Sequence, residues 1–226
     1  MAADTRPVPL GTPPDIRRSD VRAVFVTQWY VPGRAAGLAS LDEVAEQWAG
    51  TPWPTGILSF AAYLGTDDDT ALTYVQASRP DTYRPFVRAL RGPARAEGVE
   101  YRLRRSVVLE PGLPGAVVVA SFDVDGPERQ ERIIESVAGA VTGAPAEQHP
   151  GMLTANFHAS TDGTRVLNYA EWTTDEAHVA FLAGATRRAT LRATGETPGV
   201  RPIGFKRYHL HRSISIEHPP NDRRQP

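Results

Sequence analysis

A stretch of twenty-one residues recurs in this chain, and the recurrence limits the fold more than any other feature. Residues 56–76, GILSFAAYLGTDDDTALTYVQ, lie over residues 151–171, GMLTANFHASTDGTRVLNYAE, at a constant offset of 95, with Gly, Leu, Thr-Asp, Leu and Tyr coinciding. Phe86 falls on Phe181 without a gap. Such self-similarity marks a diverged internal duplication, in which each copy is one supersecondary unit that needs the other to bury its apolar face.

Periodicity and turn chemistry supply the unit. Apolar alternation and Gly/Asp punctuation predict a strand over 21–31, a helix over 41–49, a hairpin over 57–76, a helix over 81–90 and a strand over 99–109. After the Pro/Gly-rich stretch 110–115 the order recurs: strand 116–124, helix 127–141, hairpin 152–172, helix 175–193, strand 203–213. One βαββαβ unit is a four-stranded antiparallel sheet with both helices on one face, and the bare face must be covered. The predicted fold is therefore α+β, two tandem ferredoxin-like repeats at residues 21–110 and 116–213 closed into an intramolecular dimeric α+β barrel. Residues 1–20 hold four prolines and few large apolar side chains, and residues 217–226 repeat that composition, so both ends are expected to be mobile.

Composition narrows the chemistry. A net charge of −1 with dispersed basic residues argues against nucleic acid and membrane surfaces as partners. No apolar run approaches the ~20 residues of a membrane span and no basic-then-apolar leader opens the chain, so a cytoplasmic protein is expected. The absence of cysteine excludes disulfides, thiolate metal sites and thiol nucleophiles. Lys206 is the sole lysine among many arginines, the bias of a GC-rich, actinobacterial genome. There is no Walker loop, no G-x-G-x-x-G after a strand and no G-x-S-x-G. His209 and His211 share a strand face but lack a third ligand, so no metal site is expected.

Asp162-Gly163 is a tight-turn signal. With those two residues as the loop, Phe157 lies opposite Asn168 and Leu153 opposite Trp172. Alternation then puts Leu153, Ala155, Phe157, Val166, Asn168, Ala170 and Trp172 on one face, and Thr154, Asn156, His158, Leu167, Tyr169 and Glu171 on the other. An Asn among apolar neighbours pairs within the fold or faces a cavity that holds a polar ligand.

The segments VVVASFDVDGP, HPGMLTANFHASTDGT and NYAEW, within 116–172, resemble the antibiotic biosynthesis monooxygenase family. That resemblance implies oxidation of anthrones and related polyketide phenols in a cavity between sheet and helices, without metal or tightly bound cofactor. Its Asn-x-x-x-Trp pair is met by Asn168 and Trp172, and its cavity arginine, counted without gaps, by Arg192. Two family tyrosines are replaced, by Phe157 and by His178, which makes His178 the candidate for proton transfer. The implied catalytic set is Asn168, Trp172, His178 and Arg192, with Leu153, Phe157, Ala170 and Tyr83 against the substrate. Tyr83 is the one polar counterpart left in the first copy, which has Ala62, Thr73, Ala77 and Glu97 at the other matching positions. The tandem form is similar to the oxygenases that open ring B of angucyclines.

The expected reaction is O2-dependent cleavage of a carbon–carbon bond in a polycyclic aromatic polyketide. Quinone-forming hydroxylation, a non-catalytic polyketide-binding or cyclase-assisting barrel, and haem degradation are the alternatives. O2 is the co-substrate, and its electrons come from the substrate or from a reduced flavin delivered by a separate flavin reductase. Such chemistry needs a group that favours the substrate anion, donors aimed at developing charge, and a dry wall for the rings. The duplication allows a monomeric pseudo-dimer or a further homodimer.

Overall fold

The computed structural model describes residues 7–216. A short strand β1 (Pro7–Leu10) precedes two runs of elements. The first is β2 (Ala23–Tyr30), α1 (Arg34–Gly50), β3 (Ile57–Gly65), β4 (Thr70–Ala77), α2 (Tyr83–Ala89) and β5 (Val99–Val108). The second is β6 (Ala116–Val124), α3 (Pro127–Thr142), β7 (Met152–Ser160), β8 (Arg165–Trp172), α4 (Asp175–Leu182), α5 (Ala185–Gly195) and β9 (Val200–Ile216). No helix among the described residues is long and apolar enough to cross a membrane.

Hydrogen bonding in the order β9-β3-β4-β2-β5-β7-β8-β6, closed by β9 against β6, makes an eight-stranded antiparallel barrel with five α-helices around it. Among the described residues, closure leaves no long bare sheet edge for a second chain to pair with. β5 and β9 are the crossing strands. β5 begins on β2 and continues along β7, with Tyr101 opposite both Val24 and Ser160. β9 begins on β6 and continues along β3, with Tyr208 opposite both Val117 and Gly65. Each crossing strand carries one extra residue at the same place, Arg104 between the partners of His158 and Phe157, and His211 between the partners of Tyr63 and Ala62.

Alternation of side chains sorts the apolar residues into three clusters. One fills the barrel, from Val24, Val26, Tyr63, Tyr74, Val117, Val119, Tyr169 and Tyr208. The other two lie outside it, between sheet and helices, one in each half. Most polar groups inside the barrel are paired, Ser213 Oγ being an exception. Tyr63 and Tyr169 share a hydroxyl hydrogen bond of 2.8 Å, Tyr74 lies 3.0 Å from His158 Nε2, and His158 Nδ1 lies 3.0 Å from the Asn156 carbonyl. Asn156 donates to Thr154 Oγ1 and to the Tyr169 carbonyl and accepts from Ser106. Burial pushes the His158 imidazole down to about 4, so it is neutral. Its place on the barrel side, as a hydrogen-bonding group, is the one its alternation predicts.

Three sequence expectations change. Residues 7–20 are not a free tail. β1 adds to β9, Ile16 is buried in the barrel cluster, and the Asp15 carbonyl accepts from Gln76 Nε2 at 2.7 Å. Backbone pairing and a single well-placed isoleucine order a segment whose composition is too polar to order itself. The predicted tail 217–226 lies outside the described residues. The helix expected over 41–49 starts at Arg34, and the one expected over 175–193 is two helices that meet at Ala183 and Gly184.

Candidate active site

The outer layers of the two halves are filled differently. In the first half Trp48 packs on Phe60 at 4.7 Å and on Phe86 at 4.9 Å, and Tyr83 stacks on Phe25 at 3.7 Å. Rings occupy the whole layer. At matching positions of the second half, Phe25 is replaced by Val118 and Phe60 by Ala155, as the pairings of both residues show. Small side chains there leave a hollow of about 70 Å³ between β6, β7, β8 and β9 on one side and α3, α4 and α5 on the other.

Asn168, Ala170 and Trp172 project into it from β8, with Val118 and Ala120 from β6. α4 brings His178 and Phe181. Thr174 caps that helix by accepting from Ala177 N at 3.2 Å, with Asp175 and Glu176 in the first turn to complement the dipole. Gly151, at φ +75°, lets α4 approach β7, because a Cβ there would lie 2.4 Å from Thr173 Oγ1 and 2.8 Å from Ala177 Cβ. α5 turns Thr190 and Thr194 to the cavity, and their hydroxyls bond back to the Arg187 and Thr190 carbonyls. That helix face is therefore apolar in effect. Arg187 and Phe205 close the mouth, the guanidinium carbon 5.6 Å above the ring.

Beside the bonded hydroxyls of Thr190 and Thr194, the cavity wall gathers three polar atoms that are unsatisfied. Asn168 Oδ1, Trp172 Nε1 and His178 Nδ1 are buried and have no hydrogen-bond partner. A buried unpaired polar atom costs about 1–3 kcal/mol, and native proteins keep few of them. Trp172 and His178 are 5.1 Å apart, and His178 meets Phe205 edge-on at 5.2 Å. Burial first, then the charges of Arg207 and Arg187, push the His178 imidazole down to about 4, with Asp175 opposing. It is a neutral ring at physiological pH, not one poised to change charge there. Burial also lowers Arg187, though a guanidinium stays cationic.

The structure brings Asn168, Ala170, Trp172 and His178 together on the hollow and leaves the other predicted site residues out of its lining. Arg192 is exposed on α5 and does not line the cavity; Arg187 does. Counting from β8 through one continuous helix keeps a phase that the break at Gly184 resets. The signal was present, since Gly inside an apparent helix marks an end. Leu153 gives its place to Met152, because a bulge puts Met152, not Leu153, opposite Trp172. Phe157 is opposite Asn168 as the turn predicts, and it packs in the surrounding core without lining the hollow. Tyr83 is in the other half, where its hydroxyl accepts from Gly98 N at 3.0 Å. His209 and His211 face Asp175 and Asp42 separately, and no three potential metal ligands converge among the described residues.

Solved structures share this α+β fold. An anthrone oxidase-like protein superposes with a TM-score of 0.64 at 15% identity, over 87% of this chain and 94% of that one. A ferredoxin-fold protein of Listeria monocytogenes related to antibiotic biosynthesis monooxygenases gives 0.50 at 12%, over 88% and 96%. The monooxygenase from the gene ActVA-Orf6 of Streptomyces coelicolor, solved with nanaomycin D, is 37% identical over 47% of this chain and 89% of its own, with a TM-score of 0.34. No protein-family model and no curated protein sequence matches the chain.

Proposed function

We propose that this protein is an O2-dependent oxygenase of a phenolic polycyclic aromatic polyketide, with its site in the second half alone. The observation that supports this most directly is that Asn168 Oδ1, Trp172 Nε1 and His178 Nδ1 converge unpaired on one otherwise apolar hollow. Unpaired buried dipoles beside a cation suit a charge that appears only during reaction. Arg187 favours the phenolate, the Trp172 indole N–H donates to developing charge on oxygen, and His178 or Asn168 Oδ1 accepts a proton or hydrogen bond. In the hydroxylating form, the deprotonated substrate passes one electron to O2 and the radical pair joins as a carbon-bound peroxide. Loss of water, made from the peroxide's outer oxygen, the remaining C–H proton and the proton first removed, leaves a carbonyl. In the ring-opening form, reduced flavin from a reductase gives two electrons to O2, and the resulting peroxide adds to a carbonyl carbon of the substrate. A ring carbon then migrates to the inner oxygen as the outer oxygen leaves as water, so that one oxygen is inserted into a carbon–carbon bond. The angucycline form of the proposal rests on the tandem organisation, which the matching crossing strands and their shared extra residue support.

The hollow holds about two waters' worth of space, whereas pockets for drug-sized ligands run to about 300–1,000 Å³. Binding fused rings therefore moves α5 outward from the joint at Ala183 and Gly184, unstacking Arg187 from Phe205.

The test is oxygen uptake by the purified protein with dithranol, an anthrone, with and without a flavin reductase, NADH and flavin. Uptake with gain of one oxygen and loss of two hydrogens identifies hydroxylation; gain of one oxygen with no loss of hydrogen, or of one oxygen and the elements of water once the lactone hydrolyses and the ring opens, identifies cleavage. Quenching of tryptophan emission without uptake, across several reduced aromatic polyketides, would replace the oxygenase with a binding barrel.

A further inference from the structure

Among the described residues, six buried side-chain atoms lack a hydrogen-bond partner; three belong to the cavity wall, a fourth to Asp175 one turn of α4 away, and a fifth to Arg207 beside Asp175. Asp175 Oδ1 and Arg207 Nε face each other at 4.0 Å. Asp175 stands three residues before His178 on α4, hence on the same side of the helix. Its other oxygen bonds His209 Nε2 at 2.9 Å, and that imidazole is about half exposed to solvent, at 53%. The remaining polar groups of the wall are amide, indole, hydroxyl and guanidinium, none of which takes up or releases a proton near neutral pH. Any proton that crosses the wall by a side chain passes through His178.

From this arrangement we infer that Asp175 and His209 form a proton conduit between solvent and His178. Neither His178 Nδ1 nor Asp175 Oδ1 is hydrogen-bonded in the resting structure. The proton removed from the phenol therefore goes to His178, passes through a bridging water to the Asp175 carboxylate, and leaves from the exposed ring of His209; a proton required by the peroxide returns along the same groups. The charged and titratable groups that face His178 are Asp175 on its own helix, Arg187 on α5 and Arg207 on β9, with His209 beyond Asp175. Asp175 is the only anion among them. It offsets the two arginines and makes the imidazole more willing to hold a transferred proton. The first half has no such array. Its matching residues are Pro80, Tyr83 and Arg102, with Tyr83 satisfied by Gly98 N and the layer around it packed with rings. Asp175 and His209 are positioning and relay residues and do not touch the substrate.

This inference rests on the oxygenase reading, so the experiment has one arm that needs turnover and one that does not. With dithranol, Asp175→Asn and His209→Gln should each lower kcat at least tenfold with little change in KM, and added imidazole buffer should restore much of the loss in a concentration-dependent way. A purely structural role would not respond to buffer. Rates equal to wild type, or lowered rates that imidazole leaves unmoved, would overturn the conduit. In the second arm, long-range 1H–15N NMR follows the His178 ring through a pH titration without substrate. Asp175→Asn should move its midpoint to lower pH. An unmoved midpoint would show that carboxylate and imidazole are not coupled, and would end the proposal whether or not dithranol is oxidised.

Discussion

Replacing Asn168 with Leu separates what the amide does for the fold from what it does for the site. The two side chains are close in size, so the change removes a buried, unpaired carbonyl oxygen without opening a large void. An unpaired buried acceptor costs about 1–3 kcal/mol, and an apolar group of the same shape recovers that cost. For a chain of this length each kcal/mol moves the thermal midpoint by about 2–4 °C, so Asn168→Leu should melt about 2–12 °C higher than wild type. Urea unfolding should give the same gain as a shifted midpoint at unchanged slope. Turnover of dithranol should meanwhile fall tenfold or more, the loss of at least about 1.4 kcal/mol of transition-state stabilisation. A variant destabilised by 1 kcal/mol or more would refute the reasoning, because it would mean that the amide is bonded within the resting fold and serves as a structural group.

Four further outcomes follow from the same geometry. Ala155→Phe puts a ring where Phe60 fills the first half, and should abolish quenching of tryptophan emission by dithranol while the protein still unfolds cooperatively. Arg187→Ala should reduce kcat/KM tenfold or more and Arg192→Ala should leave it unchanged; the reverse pattern would restore the gapless alignment of α5. Ile16→Ala empties the end of the barrel and should cost about 2–4 kcal/mol in urea unfolding, whereas a loss below about 0.5 kcal/mol would mean that residues 11–22 are only loosely attached. His158 and His178 are both held near 4 against an ordinary 6.5, so between those values the unfolded chain binds more protons than the folded one. Stability should therefore fall as pH drops from about 6.5 to 4, with a slope approaching about 2.7 kcal/mol per pH unit for two protons, and His158→Gln should roughly halve it.

The repeat and the strand alternation were enough to place the barrel strands, to seat Asn168, Ala170 and Trp172 on the helix side of β8, and to put His158 on the barrel side. These are properties of period and offset. A residue's face follows from its parity within a strand, and parity needs only a correct turn, which Asp162-Gly163 provided. Parity also carries its own weakness: one extra residue in β7 moved Leu153 out of the site and Met152 into it, with nothing in the letters to announce the bulge.

What only the tertiary structure decided is whatever depends on how much space neighbours leave and on where a helix loses its phase. The sequence by itself determined that the second half carries an amide and an indole on one face of a strand; the imidazole was added only by the family resemblance. That those groups lack partners, that the equivalent space of the first half is packed with rings, and that Arg187 and not Arg192 stands beside them, emerged from packing across elements distant in the chain. The N-terminal strap is the same lesson in another form. Its order comes from backbone hydrogen bonds to β9 and from one isoleucine in the end of the barrel, and a segment's own composition records neither.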